Sequence, residues 1–299
     1  MHAQDRNKAT TGPCSETLRN ALLGTLIAGN LVTGVEAAAW SDTYVGYRYG
    51  DKFHEPCCSK TDIRKDIFSL THVSGYQYGI NFLTADFLRS DKNDPAKGGG
   101  GAQEVYALYR HQLLLSPVSG KSLAFGPIKE VALTAGFDLN SKNDAFAPRV
   151  RKFVLGPTLK FDVPGFFDVS LLYRTELNHN GIVGKSVEFD PTYGVSLAWG
   201  IPIKSINAKF DGFLNYIGRK GKDGFGFETK AETLARAYLM FDVCNLAGKP
   251  QTFYAGVGYE YWNNKFGGNA NNYGKTNAPM LALEMHFQMY SHDQKSREQ

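Results

Sequence analysis

The stretch Gly165 to Asn178, GFFDVSLLYRTELN, decides the fold. Apolar and polar side chains alternate along it, and a strand sends successive side chains to opposite faces, so the segment makes one apolar wall and one charged wall. The apolar wall holds Phe167, Val169, Leu171, Tyr173, Thr175 and Leu177; the charged wall holds Asp168, Ser170, Arg174, Glu176 and Asn178, and Leu172 is the exception. About a dozen such segments follow one another, with many aromatic residues on the apolar side. The pattern predicts a transmembrane β-barrel with a lipid-facing outer wall.

Twelve segments of this kind are predicted, and the connections between them alternate in length. The connections near 75–79, 162–165, 202–205 and 245–250 are short, and 117–127 is the one long turn among them. Short periplasmic turns and long outer loops are the rule for outer-membrane barrels, so both ends of 40–287 are expected in the periplasm. The predicted strands are 42–50, 67–74, 80–90, 102–116, 131–140, 152–162, 165–178, 192–200, 206–217, 232–242, 252–263 and 280–287, and the longer connections are 51–65, 91–101, 141–150, 179–187, 218–231 and 264–278.

Residues 1–39 have the layout of a cleaved secretory signal peptide. Basic residues precede an apolar run at 21–32, and Ala37-Ala38-Ala39 supplies small residues for cleavage before Trp40. The run is too short, and too interrupted by Gly and polar residues, for a membrane helix. An ordinary amphipathic helix is the alternative. The predicted organisation is therefore a signal peptide (1–39), an outer-membrane barrel (40–287) and a polar tail (288–299).

Composition limits the partners and cofactors. The net charge of +4 is too mild to indicate nucleic acid binding. No cysteine spacing indicates a zinc site, and the Gly-rich stretch Asp91 to Gly101 lacks the Gly-Lys-Ser/Thr ending of a phosphate-binding loop. No metal and no cofactor are expected. The expected partners are outer-membrane lipid and a small-molecule solute.

Three stretches resemble a known family. Trp40-Ser41-Asp42, the sequence FGPIKE at 125–130 and the terminal LALEMHF at 281–287 are similar to the nucleoside-specific channel-forming protein Tsx and its relatives. The resemblance implies a monomeric twelve-stranded barrel with a narrow lumen that takes up nucleosides by passive diffusion. It also implies recognition by aromatic residues paired with ionisable ones. The tail after Phe287 departs from the family, whose members usually end at the aromatic residue of the last strand.

Strand parity selects the residues that line the lumen. Aromatic side chains stack on a nucleobase, and charged groups hydrogen-bond its edges and the sugar. The alternative is that the charges neutralise one another across a wet lumen, since barrel interiors are polar in any case. The predicted solute-binding residues are Tyr44, Arg48, Tyr106, Arg110, Asp138, Asp168, Arg174, Lys209, Asp211, Phe213, Arg236, Tyr238, Tyr254, Glu260 and Trp262.

Three other functions are alternatives to a selective channel. A general small-solute porin is the nearest alternative. An outer-membrane acyl hydrolase is a further alternative, because His179-Asn180-Gly181 is similar to the catalytic region of such enzymes. In these enzymes the histidine base has to contact the serine nucleophile, and the nearest downstream serine, Ser186, is seven residues away. A soluble lipocalin-like barrel would need polar outer walls. The chain is therefore predicted to be a channel and not an enzyme.

Overall fold

The computed structural model describes residues 38–56, 61–96, 99–268, 274–287 and 289–290, and these form an antiparallel β-barrel. The signal peptide prediction lies almost entirely outside the described residues, as does most of the predicted tail. The elements are β1 (Trp40–Phe53), β2 (Ile63–Tyr76), β3 (Gly79–Ser90), β4 (Gln103–Leu114), α1 (Leu115–Ser119), β5 (Ile128–Lys142), β6 (Arg151–Phe161), β7 (Phe166–Asn180), β8 (Lys185–Glu188), β9 (Thr192–Ile203), β10 (Ala208–Ile217), β11 (Glu232–Asp242), β12 (Phe253–Asn263), β13 (Thr276–His286) and β14 (Met289–Tyr290), with 3₁₀ turns at Lys204–Ile206, Val243–Ala247 and Lys265–Gly267.

Twelve of the described strands close the barrel. Strands β1 to β7 and β9 to β13 pair in chain order, and β13 pairs back onto β1, where Tyr44 lies opposite His286 and Tyr49 opposite Leu281. Each of the twelve predicted segments corresponds to one of these strands. The predicted twelve-stranded antiparallel barrel is confirmed. Strand β8 only extends β7 as a hairpin, and β14 pairs with the start of β1.

The two ends of the barrel differ in the length of their connections. The short-turn end carries the connections 77–78, 115–127, 162–165, 204–207 and 243–252, and the long-loop end carries 54–62, 91–102, 143–150, 181–191, 218–231 and 264–275. This division matches the predicted alternation, including the one long turn at 117–127. Within the described residues, no helix is both long and apolar enough to cross a membrane.

Several strand boundaries differ from the prediction, and the differences occur at both ends of the barrel. At the long-loop end, β1 runs on to Phe53, and the predicted loop 179–187 contains the β7–β8 hairpin. At the short-turn end, β10 begins at Ala208 and not at Ile206, because Asn207 has a φ of 49° and ends the 3₁₀ turn. Strand β4 ends at Leu114, and the predicted strand residues after it start α1, whose Pro117 lacks the N–H that a ladder needs.

The alternation predicted for the deciding stretch is present in β7. Leu171, Tyr173 and Leu177 are exposed on the outer face, while Asp168 and Arg174 are buried on the inner face. Leu172, the exception in the pattern, is also buried on the inner side. The inner face therefore combines charged side chains with occasional apolar ones that pack between them.

Candidate functional site: the barrel interior

A charged bridge crosses the middle of the barrel. Arg48 of β1 pairs with Asp86 of β3 at 2.6 Å, and the other carboxylate oxygen of Asp86 lies 3.3 Å from Arg236 of β11. Arg236 also pairs with Glu260 of β12 at 2.5 Å, and Arg48 donates to the Tyr238 hydroxyl at 3.1 Å. Strands β3 and β11 are five steps apart around the twelve, so the contact between them runs through the interior. These five residues are called the central bridge.

The charged side chains of the central bridge are buried in the barrel interior. The side chain of Glu260 is 2% exposed, and those of Arg48, Asp86 and Arg236 are largely buried. The Phe213 ring lies beside the bridge, 5.7 Å from the Arg236 guanidinium. Because Asp86 of β3 pairs with Arg236 of β11, these side chains reach across the barrel interior.

A second group of interior residues gathers aromatic rings around a lysine at the short-turn end. The rings of Tyr44 and His286 stack with centroids 4.5 Å apart, and Tyr254 meets His286 edge-on at 5.1 Å. Lys209 Nζ lies 4.7 Å from the Tyr254 ring centre and donates to Glu284 at 2.6 Å. Asp211 and Asp42 complete this short-turn cluster, pairing with Lys209 at 3.2 Å and with His286 at 2.7 Å respectively.

On the opposite wall, most charged residues are paired in place. Asp138 accepts from the Tyr106 hydroxyl at 2.8 Å and pairs with Arg110 at 2.6 Å. Asp168 pairs with Lys160 at 2.6 Å and accepts from Gln112 of β4, three strands away, at 3.0 Å. Arg174 on the same wall donates to the Ser196 hydroxyl. Trp262 lies outside this wall, on β12, and its indole N–H donates to Glu232.

The contacts place the fifteen predicted residues on the inner face, which agrees with the parity argument. They do not meet at one point. Fourteen of them lie in the central bridge or beside it, in the short-turn cluster or on the β4–β7 wall, whereas Trp262 lies apart, near the long-loop end of β12. The fifteen residues omit several of their interior partners, among them Asp86, Glu284 and His286. Glu284 and His286 share the inward parity of β13, so the alternation there contained the signal. Asp86 lies in a predicted strand whose inward face is ambiguous from sequence. A solute-binding role for the fifteen remains a prediction.

A buried ion cluster ties the long loops together. Glu55, 6% exposed, lies 2.6 Å from Lys65, 2.9 Å from Lys265 and 3.4 Å from Lys142. Lys142 is also within 3.1 Å of Asp94 and Asp144. Burial alone would raise the pKa of Glu55, but the three lysines outweigh it and hold that pKa well below the ordinary value of 4.5. This loop cluster joins the connections after β1, β3, β5 and β12.

Glu55→Gln is expected to loosen the long loops. The glutamine leaves three buried lysines around a neutral group, so trypsin should cleave the loops of the folded barrel faster than in the unaltered protein. Asp62→Asn is the control, because Asp62 belongs to the same loop and is exposed. A carboxyl whose folded pKa is lowered stabilises the fold above its unfolded pKa, and that contribution is lost as pH falls through the folded value. Pepsin should therefore cleave these loops faster as pH falls below about 4.5. Equal trypsin rates for all three proteins would contradict a latching role.

The outer face of the barrel contrasts with this interior. Large apolar side chains are exposed on strands all around it, which is far more than the patch that a water-soluble monomer presents. Tyrosine and tryptophan rings pack with neighbours on this face, as in the pairs Tyr173–Tyr193 and Trp199–Phe210. Among the exposed residues are Phe68, Leu83, Phe87, Val105, Leu133, Phe137, Phe153, Leu155, Leu171, Val195, Phe210, Phe241, Val257, Leu281 and Leu283. A closed barrel with an apolar outside and a charged inside is built to sit in lipid. The chain forms an outer-membrane β-barrel.

Comparison with solved structures finds porins and an outer membrane channel at low sequence identity. The KdgM porin in complex with disordered oligogalacturonate is 10% identical, with 82% of this chain and 99% of that chain covered and a TM-score of 0.43. The NanC porin is 11% identical over 82% and 98%, with a TM-score of 0.46. The COG4313 outer membrane channel from Pseudomonas putida F1 is 10% identical over 88% and 100%, with a TM-score of 0.48. No family model matches the chain, and no curated protein sequence is similar to it. At this level of similarity, function has to be argued from the chain's own residues.

One contact bears on the hydrolase alternative. The β7–β8 hairpin places His179 opposite Ser186, and the histidine Nδ1 lies 3.4 Å from the serine Oγ at an exposed position. The sequence argument that Ser186 is too far along the chain was wrong, since the hairpin folds the two residues together. The distance is long for a base and its nucleophile, which favour about 2.6–3.2 Å. Within the described ranges, no carboxylate is paired with His179 to orient it.

Proposed function

We propose that the protein is a passive outer-membrane channel that selects small solutes by contact with its interior. The observation that carries the proposal is the central bridge, which joins β3 to β11 through Asp86 and Arg236 at 3.3 Å. In a wide, general pore the charged side chains of the interior would be surrounded by water, whereas the charged side chains of the central bridge are largely buried. A solute that crosses such a constriction exchanges water for protein contacts, so its chemistry as well as its size affects the rate.

The solute class that fits best is a nucleoside or a similar molecule with a flat ring and a hydroxyl-rich part. Aromatic rings accompany charges at two levels, Phe213 at the central bridge and Tyr44 with Tyr254 in the short-turn cluster. Stacking of a base on an aromatic side chain contributes about 1–3 kcal/mol. The resemblance to the Tsx family supports the same class. The charged neighbours supply hydrogen-bond partners for base edges and sugar hydroxyls.

Solute uptake by liposomes tests this proposal. Purified protein in liposomes is expected to admit adenosine or thymidine faster than a sugar of similar size, and the faster uptake should saturate. Phe213→Ala should weaken the saturation, since it removes the ring beside Arg236. Phe227→Ala is the matched control, because Phe227 is 70% exposed in a long loop. Uptake that follows size alone would favour a general small-solute porin.

The central bridge makes a separate prediction about conductance. Asp86→Ala removes the carboxylate that Arg48 and Arg236 share, so the two guanidinium groups repel each other and the bridge opens. The variant should conduct ions better than the unaltered protein in planar bilayers. Asp62→Ala, an exposed loop change, should leave the conductance unaltered. A fall in conductance for Asp86→Ala would contradict the assignment of the bridge as the constriction.

A lipid or ester hydrolase is the second candidate, favoured only by the His179–Ser186 contact. A fluorophosphonate reagent that modifies activated serines decides between the two. We expect no labelling of Ser186. Labelling that disappears in His179→Ala would support the hydrolase.

A further inference from the structure

Arg174 is a buried cation with an incomplete set of partners. Its side chain lies in the middle of β7 and is 6% exposed. One terminal nitrogen donates to the Ser196 hydroxyl at 2.9 Å, and Nε makes no hydrogen bond. In the described part of the chain, no carboxylate lies within ion-pair distance of it. Ser196 is a neutral partner that itself donates to Asn215 at 2.6 Å, so the hydrogen bond of Arg174 goes to a hydroxyl group and not to a carboxylate.

The other interior arginines behave differently. Arg48, Arg110 and Arg236 each pair with a carboxylate at 2.6 Å or less. Keeping a charge buried without an opposite charge is costly, because the water it loses is not replaced by an anion. This contrast indicates that the guanidinium of Arg174 is available to bind an anion that is not part of the described chain.

The surroundings of Arg174 are positive and leave space. A cavity of about 10 Å³ is lined by Arg174, Lys152 and Lys220, together with Glu176 and Asp190. The two lysines share Glu176, at 3.6 Å and 2.6 Å, so one carboxylate serves two cations. Room for the guanidinium comes from Gly194 of β9, where an added Cβ would lie 2.9 Å from Arg174 Nε. A volume of this size accepts about one oxygen atom.

We propose that this is an anion site, centred on Arg174, that receives a carboxylate or phosphate oxygen of a passing solute. A guanidinium presents its N–H groups in a planar fork that matches both oxyanions, and ammonium groups add charge. The inference rests on the proposed function for the solute's route and narrows its class. An uncharged nucleoside leaves Arg174 unpaired, whereas a nucleoside monophosphate carries both a flat base and the anion.

Thermal unfolding of the purified protein in detergent tests anion binding without requiring conduction. Sodium phosphate, sodium acetate, adenosine monophosphate and adenosine are titrated at constant ionic strength, with a bulky sulfonate as the balancing anion. The unfolding temperature should rise and saturate with phosphate and with the monophosphate. In Arg174→Gln, half-saturation should need about tenfold more anion, as expected for the loss of one charged hydrogen-bonding group. Arg174→Lys keeps the charge and should be intermediate, and Arg151→Gln, at an exposed position on β6, should match the unaltered protein.

A purely structural role for Arg174 predicts the opposite pattern. In sulfonate alone, Arg174→Gln should be at least as stable as the unaltered protein, because it removes an uncompensated buried charge. A less stable Arg174→Gln, an unaltered protein that shows no saturable anion effect, or an effect of equal size in Arg174→Gln would each overturn the site. Saturable anion binding to a protein that conducts no ions or solutes would refute the channel function and would still support the anion site. Conduction without anion binding would refute the site alone.

Discussion

Glu260→Gln is expected to destabilise the barrel by about 3–5 kcal/mol, the range for removing one partner of a buried ion pair. Glu260 is the most buried member of the central bridge, and it compensates Arg236 at 2.5 Å. Without it, two arginines share the single carboxylate of Asp86, and one positive charge remains buried without compensation. Urea unfolding in detergent micelles, followed by tryptophan fluorescence, measures the loss.

A double variant separates the ion pair from a general packing effect. Glu260→Gln combined with Arg236→Gln removes both charges and leaves Arg48 paired with Asp86 at 2.6 Å. Replacing both partners of a buried pair is often close to neutral, so the double variant should recover most of the lost stability. A double variant that is less stable than either single variant would show that the bridge residues stabilise the barrel by packing rather than by charge.

Leu171→Arg is expected to cost about 2–4 kcal/mol if the residue lies near the bilayer midplane. Leu171 is in the middle of β7 and is 52% exposed on the outer face, so the arginine side chain would enter lipid. Refolding into lipid vesicles and urea titration measures the cost. Phe227→Arg, at a loop position that is 70% exposed, should be close to neutral. Equal costs at the two positions would remove the lipid-facing assignment of β7.

The inward neighbour Ser170 shows where sequence reasoning stops. Parity alone suggests that Ser170→Arg is mild, because Ser170 faces a polar lumen. In the barrel, however, Ser170 bonds the Thr158 hydroxyl at 2.7 Å, and Thr158 bonds Thr134 at 2.5 Å. This buried ladder of hydroxyl groups across β5, β6 and β7 has no room for an arginine. The alternation along one strand predicts which face of the barrel a residue lies on. It carries no information about how much space the neighbouring side chains leave on that face.

The fold was predictable because it depends on local patterns. Alternation gives the strands, and the alternation of short and long connections gives their antiparallel order, so the twelve strands need no long-range information. The partners inside the barrel were not predictable in the same way. Asp86 meets Arg236 only because closure brings β3 to face β11, and that depends on strand tilt and register around the barrel. The loop cluster around Glu55 has the same origin, since it joins residues from four connections.

Errors of detail also have physical causes. His179 and Ser186 are seven residues apart, yet a hairpin places them in register at 3.4 Å. Sequence distance is a poor guide to contact wherever a strand can turn back on itself. Parity gives Arg174 as one lumen residue among many. The structure distinguishes it, because Arg48, Arg110 and Arg236 each pair with a carboxylate whereas Arg174 donates to a serine hydroxyl.

Single-channel recording in planar lipid bilayers tests the central claim most directly. Small, discrete conductance steps are expected in salt solution. Added nucleoside or nucleoside monophosphate should reduce the current in a saturable way, and a sugar of similar size should not. The reduction should weaken in Phe213→Ala and persist in Phe227→Ala. Conductance that no solute reduces would leave only a general porin, and the absence of any conductance from correctly folded barrels would contradict the channel itself.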